Sequence, residues 1–443
     1  MKNYLLDRIR SSEIIQSVMT LSIGTIIAQL IPILASLILA RLYTPDDYGN
    51  WGIFSSYAAI FTVIICGRYE YAILRPKRLI DAFHLCILSI AIGGVISFFL
   101  YVILVFFFLS NFTYITSIKG ILWLPLYVLV SGLLQVFVNY ANREEQYKII
   151  ASSSVLRSCI QAIFRIFFGL MEICGGLIVG AMLGLFGGNV CFIRKFPFRR
   201  ILHYISLNRV KELIKEYKKF PIYEVPSGLL NVMSTNIPLL LLSYFFHKEY
   251  VGYFSMAITI LYMPISFIGI ALGQVFYKKA CVWNGEQIAG LAIKIFRLTF
   301  FTGAIPVLLL TLYGNDIFAF LLGKHWGITG TFAMYMSIWI WLVLCFLPLS
   351  TVFWVKDKQR IGMILNLAML ILRVLVIFIG GYLLRSVFQT ILLYGITGII
   401  LWFVEGLYIW KLLDINVSRK DIFYVLFVAF VVIGVWTMKI LYS

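Results

Sequence analysis

Charge is scarce in this chain. Only 13% of its 443 residues are charged, against about 25% in a soluble globular domain, while 62% are hydrophobic. That excludes a soluble fold. Acids are the scarcer sign, 19 against 37 Lys and Arg. Long polar segments are missing too: the longest interruption, Arg194 to Phe220, is about 27 residues, too short for a folded catalytic module outside the membrane. The fold class therefore argues against an enzyme. The seven cysteines, Cys66, Cys86, Cys159, Cys174, Cys191, Cys281 and Cys345, show no C-x-x-C or His-partner spacing and read as small packing residues. No metal site and no cofactor are expected. No cleavable signal is expected, because the first apolar run, Ser17–Ala40, is too long for a signal h-region and leads into a polytopic pattern.

What is present is thirteen apolar stretches of about 20 to 27 residues. A helix rising 1.5 Å per residue needs about 20 residues to cross roughly 30 Å of hydrocarbon, with every backbone group bonded inside it. The chain is predicted to be all-α and integral to the membrane. Spans are expected at Ser17–Ala40, Trp51–Leu74, Phe83–Leu109, Gly120–Tyr140, Ile149–Leu170 and Ile173–Ile193, then at Val225–Phe246, Tyr250–Phe276, Lys294–Tyr313, Thr331–Val355, Ile361–Leu384 and Val387–Trp410, with a further one at Ile422–Leu441. Six spans bring a chain back to its starting side, so two six-helix lobes, 1–193 and 221–410, are predicted as parallel repeats joined by a basic linker, 194–220. Residues 411–443 supply a loop and the additional helix. An internal echo supports the repeat: Ile31-Pro32 followed by Tyr48-Gly49 in the first half, Ile237-Pro238 followed by Tyr250-Val251-Gly252 in the second.

The net charge of +18 takes its meaning from placement. With the N-terminus inside, twenty-five of the 37 Lys and Arg fall on inner segments and six on outer ones, so the positive-inside rule puts the N-terminus in the cytoplasm. A membrane chain built this way is not expected to bind nucleic acid. In the linker, Val210, Leu213, Ile214 and Tyr217 recur at helical spacing opposite Arg209, Lys211, Lys215, Lys218 and Lys219, which predicts an interfacial helix on anionic lipid heads.

Polar residues stripe one face of the first helix at Ser22, Thr25, Gln29, Pro32 and Ser36, and of the seventh at Ser227, Asn231, Ser234, Thr235 and Pro238. Pro-broken helices in matching places of two halves point to a central polar cavity; Ser and Thr also gather where helices simply pack. The charges are sharper. An Arg at mid-helix costs about 2.5 to 3.5 kcal/mol to insert and needs a partner or an aqueous cavity. Arg157, Gln161 and Arg165 follow at i, i+4 and i+8 over roughly 12 Å of one helix face. Arg373 lies about 12 residues into the equivalent helix of the second half, near mid-membrane. Arg68 and Arg297 sit nearer inner helix ends, where Arg68 can pair with Glu70 or either can reach lipid phosphate. Glu70, Glu224 and Glu405 all lie toward inner ends, so no buried proton-binding carboxylate is expected. Arg keeps its proton at physiological pH and forks two donors onto phosphate oxygens, so an Arg-lined cavity suits a phosphate or an acidic sugar. Trp51, Trp123, Trp326, Trp339, Trp402 and Trp410 mostly fit interfacial belts, while aromatics that face a cavity can instead stack on sugar rings.

Three stretches resemble the polysaccharide transporter family, the O-antigen and repeat-unit flippases of bacterial envelopes, within the superfamily that includes multidrug extruders and the lipid II flippase. The first, Gly24 to Tyr57, carries the R-L-x-x-P-x-D-Y-G turn at Arg41 to Gly49, followed by Gly67-Arg68-Tyr69-Glu70. The second is Phe220 to Tyr277, and the third runs from Leu322 to Ser350. The likeness covers about Ser17 to Trp410. It implies a two-lobed bundle, usually of twelve helices, that moves undecaprenyl-pyrophosphate-linked oligosaccharide across the bacterial inner membrane by alternating access. It implies as partners that lipid-linked substrate, membrane lipids, and the polymerase and chain-length regulator of the same pathway. The residues expected at the substrate are Arg157, Gln161, Arg165, Arg373, Asn231, Gln29, Arg68 and Glu70.

Two other readings compete. A cation-coupled multidrug exporter shares the architecture but favours carboxylates where this chain has arginines. A glycan polymerase needs a large outer loop, and the longest expected here, Gly314 to Gly330, is short.

Overall fold

A computed structural model describes residues 23–110, 118–193, 196, 206–280, 283, 285–356, 358–415 and 419–442. Among them there are helices and no strands, and twelve helices are long and apolar enough to cross a bilayer. The all-α membrane fold is as the apolar runs require. The chain divides into two compact units: one of residues up to Tyr43 with Asn50–Asn236, the other of Thr44–Gly49 with Ile237–Ser443. The division falls at Asn236, inside a helix, rather than in the basic segment 194–220.

The first unit contains α1 (Ile23–Leu42), most of α2 (Pro45–Ile64), α3 (Leu79–Leu109), α4 (Leu124–Arg143), α5 (Tyr147–Leu170), α6 (Gly176–Ile193), α7 (Leu207–Glu216) and the start of α8 (Val225–Phe245). Ser22 of the expected polar stripe lies outside the described residues. The span expected at Trp51–Leu74 begins earlier and breaks sooner, because Gly67 and Arg68 both turn left-handed, with φ of 59° and 62°. The chain then makes a single turn, Tyr69–Ala72, that packs on α3 and α4. A non-glycine residue in that conformation costs of order 1 to 3 kcal/mol, which the surrounding packing must offset.

The hairpin of α5 and α6 is held by missing side chains. Gly180, Gly184 and Gly188 recur every fourth residue along α6, and a Cβ on them would stand 2.6 Å from Arg165 Cγ, 2.7 Å from Gln161 Cβ and 3.3 Å from Arg157 Cβ. Small residues at this spacing let two backbones approach closely where lipid supplies no hydrophobic drive. The glycine face thus fixes the helix that carries Arg157, Gln161 and Arg165.

Helix α7 is real, but its apolar side does more than meet lipid. Leu213 is 1% exposed, while Lys211 and Lys215 face outward. Arg209 clamps the helix to the start of α3: Nε donates to Asp81 Oδ1 at 2.8 Å and Nη2 to Oδ2 at 3.0 Å, while Nη1 reaches Glu212. The hydrogen bonds to Asp81 and then Glu212 hold the guanidinium pKa above its ordinary value. The Ser206 amide donates to His84 Nε2.

The second unit contains α9 (Lys248–Ala280), α10 (Gly285–Leu322), α11 (Gly327–Phe346), α12 (Gln359–Phe378), α13 (Val387–Leu412) and α14 (Arg419–Tyr442). The internal echo of the sequence has a structural meaning here. A Cβ on Gly49 would strike the Lys248 carbonyl, and a Cβ on Gly252 would strike the Pro45 carbonyl. Each glycine therefore accepts the backbone four residues before the other, a reciprocal crossing of two helix starts. The expected outer loop Gly314–Gly330 is not a loop. Gly314 and Gly330 pack against each other; the helix kinks at Tyr313, where φ is −125°, a second helical segment runs on to Leu322, and one turn at Lys324–Trp326 leads into α11. The Trp belt is also corrected: Trp326, Trp339 and Trp402 are 0%, 1% and 8% exposed, because rings from α11, the turn before it and α13 fill the space where α11 packs on α10 and α13. The additional helix α14 packs on α10, and Trp436 donates to the Met334 carbonyl of α11.

Candidate functional site

A cavity of about 390 Å³ opens within the first unit. α2 contributes Ser55 and Thr62, α4 contributes Ser131 and Gln135, and α5 contributes Arg157 and Gln161. Arg68 enters from the left-handed break after α2, and Val232 from α8. The volume lies within the roughly 300 to 1,000 Å³ of small-molecule sites. Hydroxyls, amides and two guanidiniums share its wall with apolar residues, among them Ala58, Ala59, Val63, Leu134 and Leu185.

The neighbours of Arg68 explain its pose. Its Nη1 donates to the Tyr71 hydroxyl at 2.9 Å and stands 3.9 Å from Glu70 Oε1. On the other side Gly228 of α8 leaves the guanidinium its space, since a Cβ there would lie 2.3 Å from Arg68 Nη2. The family-like stretch around Pro226-Ser227-Gly228 thus serves Arg68. Arg68 Nε and Gln135 Oε1 are buried without a hydrogen-bond partner, and both residues line the cavity. A donor and an acceptor left unsatisfied cost about 1 to 3 kcal/mol each, which a polar ligand with acceptor and donor atoms relieves.

Glu70 corrects the expectation of no buried carboxylate. It is 0% exposed, and neither oxygen accepts a hydrogen bond from another described residue; the break at Arg68 folds its turn inward. Glu405 on α13 is 8% exposed, so a second acid is buried in the other unit. Glu224 is exposed.

Arg165 takes a different part from its two helix companions. It is 8% exposed, its Nε donates to the Leu177 carbonyl of α6 at 2.9 Å, and its guanidinium lies 4.2 Å from the Trp51 ring centroid. The Tyr43 hydroxyl donates to its carbonyl. Arg165 ties α5 to α6 and α2, and it does not line the cavity. Gln29 is half-buried on α1 and Asn231 is exposed on α8; neither lines the cavity, although Val232 beside Asn231 does. Arg297 is exposed on α10.

Arg373 belongs to the second unit. It is 6% exposed and sits 5.0 Å from the Trp339 centroid and 5.2 Å from the Tyr394 centroid, with its Nε buried and unbonded. No described acid pairs with it. Trp339 and Tyr394 contact each other edge to face, and Tyr262 contacts Trp339. Tyr262 and Tyr394 escaped sequence reasoning and Trp339 was expected at an interface; Ser131 and Gln135 escaped it too. The latter pair carried a signal, polar residues at i and i+4 on an otherwise apolar helix.

The model of a family described as polysaccharide biosynthesis protein matches residues 38–329. No curated protein matches the chain. Among solved structures, the chain is similar to the lipid II flippase MurJ in an inward closed conformation, with 13% identity, 95% of this chain and 97% of that one covered, and a TM-score of 0.65. It is similar to an inward-facing multidrug resistance MATE family transporter of the MOP superfamily, at 14% identity, with 90% and 98% covered and a TM-score of 0.64. A MOP superfamily transporter from Pyrococcus furiosus gives 16% identity, 90% and 95% coverage and a TM-score of 0.57. At such identities the likeness establishes the fold.

Proposed function

Because the chain belongs to the family of polysaccharide biosynthesis proteins, we propose that it is a flippase that carries undecaprenyl-pyrophosphate-linked oligosaccharide repeat units across the bacterial cytoplasmic membrane by alternating access. The observation that carries this reading is the cavity in which Arg68 and Arg157 face polar walls with unsatisfied donor and acceptor atoms. Two guanidiniums offset the charge of a pyrophosphate, and the hydroxyls and amides of Ser55, Thr62, Ser131, Gln135 and Gln161 replace water around the sugars. The polyprenyl tail stays in the bilayer, so the polar head never meets hydrocarbon. Arg373, held among aromatic faces of the other unit, is a further cation at depth for the cargo. The N-terminus is cytoplasmic on the positive-inside count, and the O-antigen or capsule polymerase and chain-length regulator are partners downstream. Neighbours of known fold include a lipid II flippase, a lipid-linked cargo carrier by its name, which supports the same class. The exporter reading is less well supported, since the cavity presents cations to its contents.

The test replaces Arg157 with Gln and Arg68 with Gln and follows surface polysaccharide at matched protein levels. Polymer output is expected to fall at least about tenfold in each, the scale of a lost charge-assisted hydrogen bond. Normal output in both variants refutes the assignment.

A further inference from the structure

The second unit holds a hollow that shares no lining residue with the cavity already described. The connection between α8 and α9, at His247, and that between α12 and α13, at Arg385 and Ser386, wall a cavity of about 630 Å³ together with Tyr244, Tyr250 and Phe388. Arg385 and His247 are exposed, and the side chain of neither makes a hydrogen bond, ion pair or ring contact with a described residue. The Arg385 charge and the donors of both are therefore uncommitted. Beside them, Tyr250 and Phe388 meet edge to face with centroids 6.2 Å apart, and both stay half-exposed at the cavity wall. The nearest acid along the chain, Glu249, is turned away: its carboxylate accepts from the Tyr253 hydroxyl. His247 and Ser386 also precede the first turns of α9 and α13, so the positive ends of two helix dipoles open at the same place.

We propose that this cavity is a binding site for a sugar bearing a carboxylate or phosphate group. Arg385 forks onto the anion, His247 adds a donor, and the Tyr and Phe faces take the apolar face of the sugar ring. The volume suits a mono- or disaccharide unit within the usual range for ligand sites. The site does not depend on the translocation reading, because its test reads binding and not transport.

The full chain in phosphatidylcholine nanodiscs is titrated calorimetrically with glucuronate, glucose 1-phosphate and glucose. Both acids are expected to bind saturably, and glucose at least about tenfold more weakly. The R385Q variant is expected to lose at least about tenfold in affinity for the acids, and R385K to recover part of it. H247Q gives a second, smaller loss and stands in if R385Q fails to fold. Repeating the titration in phosphatidylglycerol nanodiscs separates the two sources of anion. Loss of glucuronate binding there makes a lipid headgroup the occupant of the same site, and unchanged binding makes it a saccharide. The proposal is overturned if neither acid binds saturably, or if the folded variants bind as the wild type does.

Discussion

Replacing Gly184 with Ala tests whether the glycine face of α6 sets the position of the cavity arginine. The new methyl would lie 2.7 Å from Gln161 Cβ, 3.2 Å from Gln161 Cα and 2.9 Å from the Arg157 carbonyl oxygen. Two of those three atoms are backbone, so no rotamer change clears them. Bringing the closest contact from 2.7 Å to an ordinary 3.4 Å requires a shift of at least 0.7 Å between the helices. A gap of about 0.5 to 1 Å forfeits a quarter to a half of each dispersion contact it opens. Overpacking of this kind costs about 1 to 3 kcal/mol, partly offset by the roughly 1 kcal/mol that Ala gains over Gly in a helix. Gly94 on α3 supplies the control, because a Cβ there meets nothing within 4 Å. Its replacement by Ala carries the propensity gain alone. Unfolding followed by tryptophan fluorescence in matched micelles is expected to show G184A about 1 to 3 kcal/mol less stable than G94A, with surface polysaccharide reduced because Arg157 moves with α5. A G184A protein as stable as G94A would refute the close-packed hairpin as the device that places the arginine.

The two arginines of α5 should separate by assay. R165Q removes the bond to the Leu177 carbonyl and the contact with Trp51, costing roughly 1.5 to 3 kcal/mol of stability, and W51A should reproduce part of that loss; R157Q should leave stability within about 0.5 kcal/mol while cutting export. Equal stability of R165Q and R157Q would contradict the assignment. At the linker, D81N removes the charge that holds Arg209, so amide exchange across Leu207–Glu216 is expected to quicken, with a smaller effect in high salt where the ion pair is already screened; unchanged exchange would show that α7 does not depend on the clamp.

Helix existence was legible because membrane spans announce themselves by length and apolarity, and the rail of Arg157 and Gln161 was legible because four-residue spacing fixes a face. What sequence spacing does not carry is the direction in which a long side chain leans. Arg165 shares the rail but turns to a carbonyl across the hairpin, a partner 12 residues away that no periodicity announces. Gly314 and Gly330 read as the ends of a loop because glycine serves both turns and close helix crossings; the helix does kink at Tyr313, but the two glycines close a helix crossing there. Glu70 read as an end-of-helix acid because the left-handed step at Arg68, which turns it inward, belongs to a residue type that seldom takes it. The buried tryptophans were misplaced for a related cause: an indole fills a helix crossing as well as it anchors at an interface.

The aromatic surroundings of Arg373 have a consequence for how those positions can change over evolutionary time. A ring quadrupole attracts a cation through its face whatever hydroxyl or nitrogen hangs on its rim. For the sake of the charge, positions 339 and 394 can drift among Trp, Tyr and Phe, while a step to Leu or Val at either removes one of the two ring faces on which the guanidinium rests.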